Sequence, residues 1–155
     1  MENAAPVSAI DTQYLKVVEM IHCYAESVGL NRERTYNTEK KNWMWKKGSA
    51  SIEVYINRLD FGDGYKRDFI KIFSPVMEVP QTTRLLEYYR RLLELNDEKL
   101  GIKISIQKGS NKVWGTFERD IKGIDYNELA TFIADFEFWA DKFDDMLKEE
   151  FPNLN

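Results

Sequence analysis

The one histidine and the one cysteine of this 155-residue chain are adjacent, His22 and Cys23. Neighbouring residues on a helix point about 100° apart, so the two cannot work as a nucleophile and its base. A zinc site would need further Cys or His ligands, and the sequence has none to offer. Carboxylates are abundant, but abundance is not pairing. Asp135, Glu137, Asp141, Asp144 and Asp145 lie beside or opposite the apolar stripe of a C-terminal helix and read as a solvated face. Residues 125–150 hold nine acids against Lys142 and Lys148, a net −7, which leaves an acidic docking surface as the other reading. Asp60-Phe-Gly-Asp-Gly64 has the glycines and acids of a calcium loop but lacks its full ligand set and distal glutamate, so it reads as a Gly-Asp turn. No catalytic residue, metal site or cofactor is expected. A small enzyme using carboxylates in a cleft is kept only as an alternative, since no pair of acids is distinguishable by sequence.

A binding role has more support. Between residues 32 and 47, six basic residues (Arg32, Arg34, Lys40, Lys41, Lys46, Lys47) outweigh Glu33 and Glu39, a net +4, next to Trp43 and Trp45. Basic charge with aromatics is the composition of a platform for single-stranded nucleic acid. The whole chain carries −4, which opposes general affinity for nucleic acid or an anionic membrane. The plainer reading is a surface loop entering a strand whose tryptophans pack in the sheet. A further one is that this basic segment meets the acidic last helix of the same or a second chain.

These residues need elements to position them. Residues 1–10 read as a loose tail and 11–155 as one α+β domain, a size at which a core needs no staple. A first helix starts near Asp11 or Thr12, with Tyr14, Val17, Val18, Ile21, Tyr24, Ala25 and Val28 as its stripe. Residues 31–41 form a polar connection. Lys-Lys-Gly-Ser turns the strand of Trp43 and Trp45 into one in which Ile52, Val54 and Ile56 share a face. A third strand, from Asp68 to about Met77, is apolar on both faces: Phe69 and Phe73 on one, Ile70, Ile72 and Val76 on the other. Pro75 and Pro80 suggest that its end is an unpaired edge. A middle helix begins near Thr82 or Thr83, carries Leu85, Leu86, Tyr89, Leu92 and Leu93, and stops near Asn96. Two short strands follow, Ile102 to Ile106 and Val113 to Glu118. Asp125 with Glu128 opens the last helix, and Pro152 ends it. The order is α-β-β-β-α-β-β-α with a mainly antiparallel five-stranded sheet.

That order resembles the type III secretion chaperone-like fold, and within it the YbjN family of bacterial sensory transduction regulators. The resemblance is carried by "DFIKIFSPVMEVP", by "LLEYYRRLLELNDEKLGIKISIQKGSNKVWGTFERDI" with its Leu-Asn helix end, and by "IKGIDYNELATFIADFEFWADKF", covering residues 68–143. It implies that the first and last helices cover one sheet face, leaving the other face and the middle helix for partners. In secretion chaperones the middle helix and neighbouring strands often form a dimer, and exposed apolar surface holds an extended client segment.

If Ile70 and Ile72 pack under the helices, Phe69 and Phe73 point away, Tyr55 joins them, and so must one of the Trp43/Trp45 or Met44 faces. The candidate partner-binding set is Trp43, Trp45, Tyr55, Phe69, Phe73, Tyr88 and Tyr89. The expectation is a non-catalytic protein-binding module, regulatory or chaperone-like, that engages a protein partner, a client segment or a second copy of itself. A dedicated secretion chaperone and a nucleic-acid binder acting through 32–47 are the alternatives. One cysteine, a start without the basic and apolar runs of a signal peptide, and no long apolar stretch point to a reducing cytoplasm and away from a membrane.

Overall fold

Ser8 opens the first helix: its hydroxyl accepts the Asp11 N–H at 3.2 Å. The computed structural model describes residues 8–99 and 101–154. The tail read as 1–10 therefore lies largely outside the described residues, and Ala9 and Ile10 are already helical, ahead of the start expected at Asp11 or Thr12. In chain order the elements are α1 (Ala9–Ser27), α2 (Arg32–Thr35), β1 (Tyr36–Asn37), β2 (Asn42–Lys47), β3 (Ala50–Asp60), β4 (Lys66–Glu78), α3 (Leu85–Glu98), β5 (Lys103–Ile106), β6 (Lys112–Asp120) and α4 (Tyr126–Glu150).

The sheet is antiparallel throughout, in the order β1-β2-β3-β4-β6-β5. It has six strands where five were expected. The added strand comes from the 31–41 connection, which folds into the single turn of α2 and then pairs Tyr36 with Trp43. The asparagine Asn31 caps that turn, accepting the Arg34 N–H at 3.0 Å.

Alternation does the rest. Ile52, Val54, Ile70 and Ile72 are fully buried beneath α1 and α4, together with Ile21, Ile133, Phe136 and Phe143 from those helices. At Gly115 on β6 a side chain would require Ile102 to shift, because Ile102 Cδ1 would lie 2.8 Å from its Cβ. Asp125 caps α4 as expected, its Oδ1 accepting the Glu128 N–H at 2.9 Å. Glu128 does not return the bond to the cap; it pairs with Arg119 on β6.

Two boundary expectations are corrected. The end of the third strand is no free edge: β4 stays paired to β6 out to Glu78, and Pro75 is absorbed by an irregularity in register between Pro75 and Met77. Asn96 does not stop the middle helix, which continues to Glu98. The β2–β3 turn seats on α4, where the Ser49 N–H donates to Asp141 at 2.8 Å. Part of the basic segment thus meets the acidic helix within one chain, with Lys47 adding to the pull that, after the Ser49 bonds, keeps the Asp141 carboxyl below its ordinary range.

Candidate functional site

The candidate site is the sheet face opposite α1 and α4. Its layout follows from the register. One row runs Met44, Glu53, Phe73, Thr116, Lys103 across β2, β3, β4, β6 and β5. The next runs Asn42, Tyr55, Lys71, Glu118, and a third holds Asn57, Phe69 and Asp120. Trp114 stands opposite Pro75 and Ser105. Diagonal neighbours on such a surface are within reach of aromatic rings. Tyr55 stacks on Phe73 with ring centres 5.4 Å apart, and Trp114 meets Phe73 edge-on at 6.4 Å.

Charges frame these rings. Lys71 pairs with Glu118 at 3.0 Å, Asn42 Nδ2 donates to Glu53 at 2.7 Å, and Arg67 holds Asp120 at 2.6 Å. Partial burial raises the Tyr55 hydroxyl pKa against the opposing pull of Lys71. Burial works against ionised Asp120 too, but the Lys122 backbone N–H and Arg67 outweigh it and lower its pKa. Beyond the ends of β2 and β6, the β3–β4 hairpin continues alone and carries Phe61 and Tyr65, 54% and 61% exposed. Arg67 lies over the rings of Phe69 and Phe61 at 4.9 and 5.5 Å, which joins this tip to the rest of the face. Asp60 is spent on the turn, accepting the Gly62 N–H at 2.9 Å.

Of the seven partner-binding candidates, Tyr55, Phe69 and Phe73 share this face and are half-buried, and Tyr89 is 38% exposed on α3. Trp43, Trp45 and Tyr88 are corrected: all three are core. Trp43 lies opposite Val54 and Trp45 opposite Ile52, which puts both indoles under the helices. Trp43 Nε1 donates to His22 Nδ1 at 3.1 Å, and Trp45 Nε1 donates to Glu137. Met44, between them, takes the outward position and is 49% exposed. Tyr88 is fully buried and meets Phe151 edge-on at 5.2 Å; burial and then Tyr89 push its hydroxyl up to about 12.

Glu137 is a further correction. The sequence pattern places it with the acids of a solvated face, yet it is 4% exposed and also accepts the Tyr24 hydroxyl at 2.7 Å. A carboxylate taken up by two neutral donors fastens α1, β2 and α4 together. The nucleic-acid reading of 32–47 loses its stacking surface with the tryptophans, and Arg32 is engaged by Glu19 and Glu26 at 2.6 and 2.8 Å. Trp114, Met44, Phe61 and Tyr65 are on or continue this face and are missing from the candidate set. Trp114 is legible only from the β4–β6 register, and Phe61 sits in a stretch that reads as a turn.

Among the described residues, no helix is long and apolar enough to cross a membrane. No family model matches the sequence, and no curated protein does. Solved structures do match. A chain of the ExsC–ExsE complex superposes with a TM-score of 0.59 at 13% identity, over 86% of this chain and 94% of that one. A chain of the HopA1–SchA chaperone–effector complex gives 0.60 at 9% identity, over 90% and 99%. YbjN from E. coli gives 0.52 at 12% identity, over 96% and 98%. The chain has the type III secretion chaperone-like fold that YbjN shares, as its sequence suggested.

Proposed function

We propose that this protein is a non-catalytic binding module that holds an apolar segment of another protein, in a regulatory or chaperone-like role. The observation that carries the reading is the aromatic file Tyr55, Phe73 and Trp114, continued by Phe69 and Phe61, on the sheet face opposite the two long helices. Rings framed by ion pairs suit a partner that contributes apolar side chains and a polar backbone. The fold supports the same reading, since one matching chain comes from a chaperone–effector complex. We take residues 11–155 as the single working unit and the reducing cytoplasm as its setting, in keeping with one exposed cysteine, Cys23.

Affinity capture with identification of bound proteins tests this, comparing the natural chain with a Phe69→Ser/Phe73→Ser variant. A protein held by the first and lost by the second is the expected result. Equal capture by both overturns the assignment of the face. A client that is itself a secreted effector would narrow the role to a dedicated secretion chaperone.

A second surface favours self-association. On α3, Leu86 is 84% exposed, Leu93 70% and Tyr89 38%, at the i, i+3, i+7 spacing of one helix face. A homodimer through α3 would cover them.

A further inference from the structure

A cleft of about 270 Å³ opens between the first turns of α1, the start of β4 and the end of β6. Much of its wall is apolar, from Ala9 and Ile10 on the helix and from Tyr65 and Ile121 on the strand side. Gln13 ties the two sides together, its Nε2 donating to the Ile121 carbonyl at 2.8 Å. Two carboxylates also line the cleft, and both are spent within the fold. Asp68 is 1% exposed, and Arg58 holds its two oxygens at 2.8 and 2.9 Å. Asp120 takes Arg67 on Oδ2 at 2.6 Å and the Lys122 backbone N–H on Oδ1 at 2.7 Å.

What the fold leaves over is positive. Lys66 and Lys122 line the same cleft and are exposed, and among the described residues neither ammonium is in an ion pair. The other acids close by are engaged elsewhere. Asp60, across the hairpin from Lys66, accepts the Gly62 N–H, and Asp11 pairs with Arg58 at 2.9 Å. The geometry points to a site for a small organic anion, with an apolar body against Ile10, Tyr65 and Ile121 and a carboxylate between Lys66 and Lys122. A cation would meet two like charges and no free carboxylate to offset them. The whole chain carries −4, so two unpaired lysines over an apolar cleft are a local feature and no general property of the surface. This goes beyond the binding role proposed above and does not depend on it, because the cleft lies beside α1, apart from the aromatic file.

NMR of the full chain, titrated with phenylacetate, tests the site. Saturable shifts should gather at the amides of Ile10, Gln13, Tyr65, Lys66 and Lys122. Phenylacetamide, with the same ring and no charge, should bind about tenfold more weakly or worse. Lys66→Ala and Lys122→Ala should each weaken phenylacetate by up to about fivefold, the range for exposed charge pairs, and Lys122→Arg should keep it. Ala9→Phe, at an exposed position, should fill the cleft and abolish binding with the melting temperature unchanged. A spectrum unmoved by tens-of-millimolar phenylacetate would overturn the site. Equal binding of the acid and the amide would reduce it to an apolar crevice, and parental affinity in Lys66→Ala/Lys122→Ala would do the same. Acetyl-Ala-Ala-Phe offers the same groups on a chain end. If it bound tenfold more tightly than phenylacetate, the cleft would take protein C-termini and the small-anion assignment would be wrong.

Discussion

The two sides of this sheet carry similar aromatic loads and put them to different uses. Beneath α1 and α4, Trp43 and Trp45 bury their rings, and each indole N–H meets one acceptor, His22 or Glu137. On the other side Tyr55 and Trp114 each meet Phe73, Lys112 lies over the Trp114 ring at 5.7 Å, and the Trp114 N–H, though buried, finds no acceptor among the described residues. A ring locked by packing and a directed hydrogen bond belongs to the architecture. A ring held only by its neighbours remains free to exchange them for a partner's side chains.

The largest effect should come from the covered side. Phe132→Ala and Phe136→Ala should each cost about 3–5 kcal/mol, the usual loss for truncating a buried ring. Phe69→Ser with Phe73→Ser removes cross-strand ring contacts worth about 0.2–1 kcal/mol apiece. Thermal melts of the two double variants decide the matter. Equal damage would mean that the open face is a second core.

A finer contrast lies in the indole N–H groups. Trp45→Phe takes one donor from buried Glu137 and should cost about 1–3 kcal/mol. Trp114→Phe removes an unpartnered N–H and should be nearly neutral in urea unfolding. A comparable loss at Trp114 would reveal an acceptor on the open face and weaken the distinction.

Acidification probes the covered side alone. Burial, and then Arg32, depress the His22 pKa below its ordinary 6.5. The unfolded chain therefore binds more protons than the folded one below that value, so stability is intact above 6.5 and falls as pH drops through the folded pKa. Protonation also sets two donors against each other, because the Trp43 N–H points at His22 Nδ1. Melts between about pH 7.5 and pH 5.5, a range above the ordinary carboxylate values, should show this slope. His22→Gln should flatten it; an unchanged slope would place the titrating group elsewhere.

The sequence made one face of this comparison legible and misplaced part of the other. Alternation alone paired Ile70 with Ile72 and Phe69 with Phe73, and the structure keeps both pairs. Alternation also showed that Trp43 and Trp45 share a side, but not which side; that depends on a register in which Trp45 meets Ile52. Asn96 read as a helix stop because the type fits left-handed geometry, whereas its partner lies eight residues on, in a strand that local patterning cannot bring alongside. Glu137 read as solvated because the last helix is acidic around it. Only the tertiary arrival of Tyr24 and Trp45 makes its burial tolerable.

The smallest effect on stability, and a clear one on assembly, is expected on α3. Leu86 and Leu93 touch little in the single chain, so Leu86→Glu with Leu93→Glu should leave the melting temperature within a degree or two of the parent, as surface changes do. The helix keeps its inner attachments: Leu92 and Leu95 stay buried, and Arg91 still reaches Glu150 at 3.1 Å. If copies associate through this stripe, the paired glutamates set like charges across the contact and hold it apart. Light scattering over a wide concentration range should then show the parent gaining mass and the variant remaining a monomer. A parent that is monomeric throughout would remove the α3 dimer. The open aromatic face would then be the surface left for partners, and Phe69→Ser with Phe73→Ser the variant that tests it.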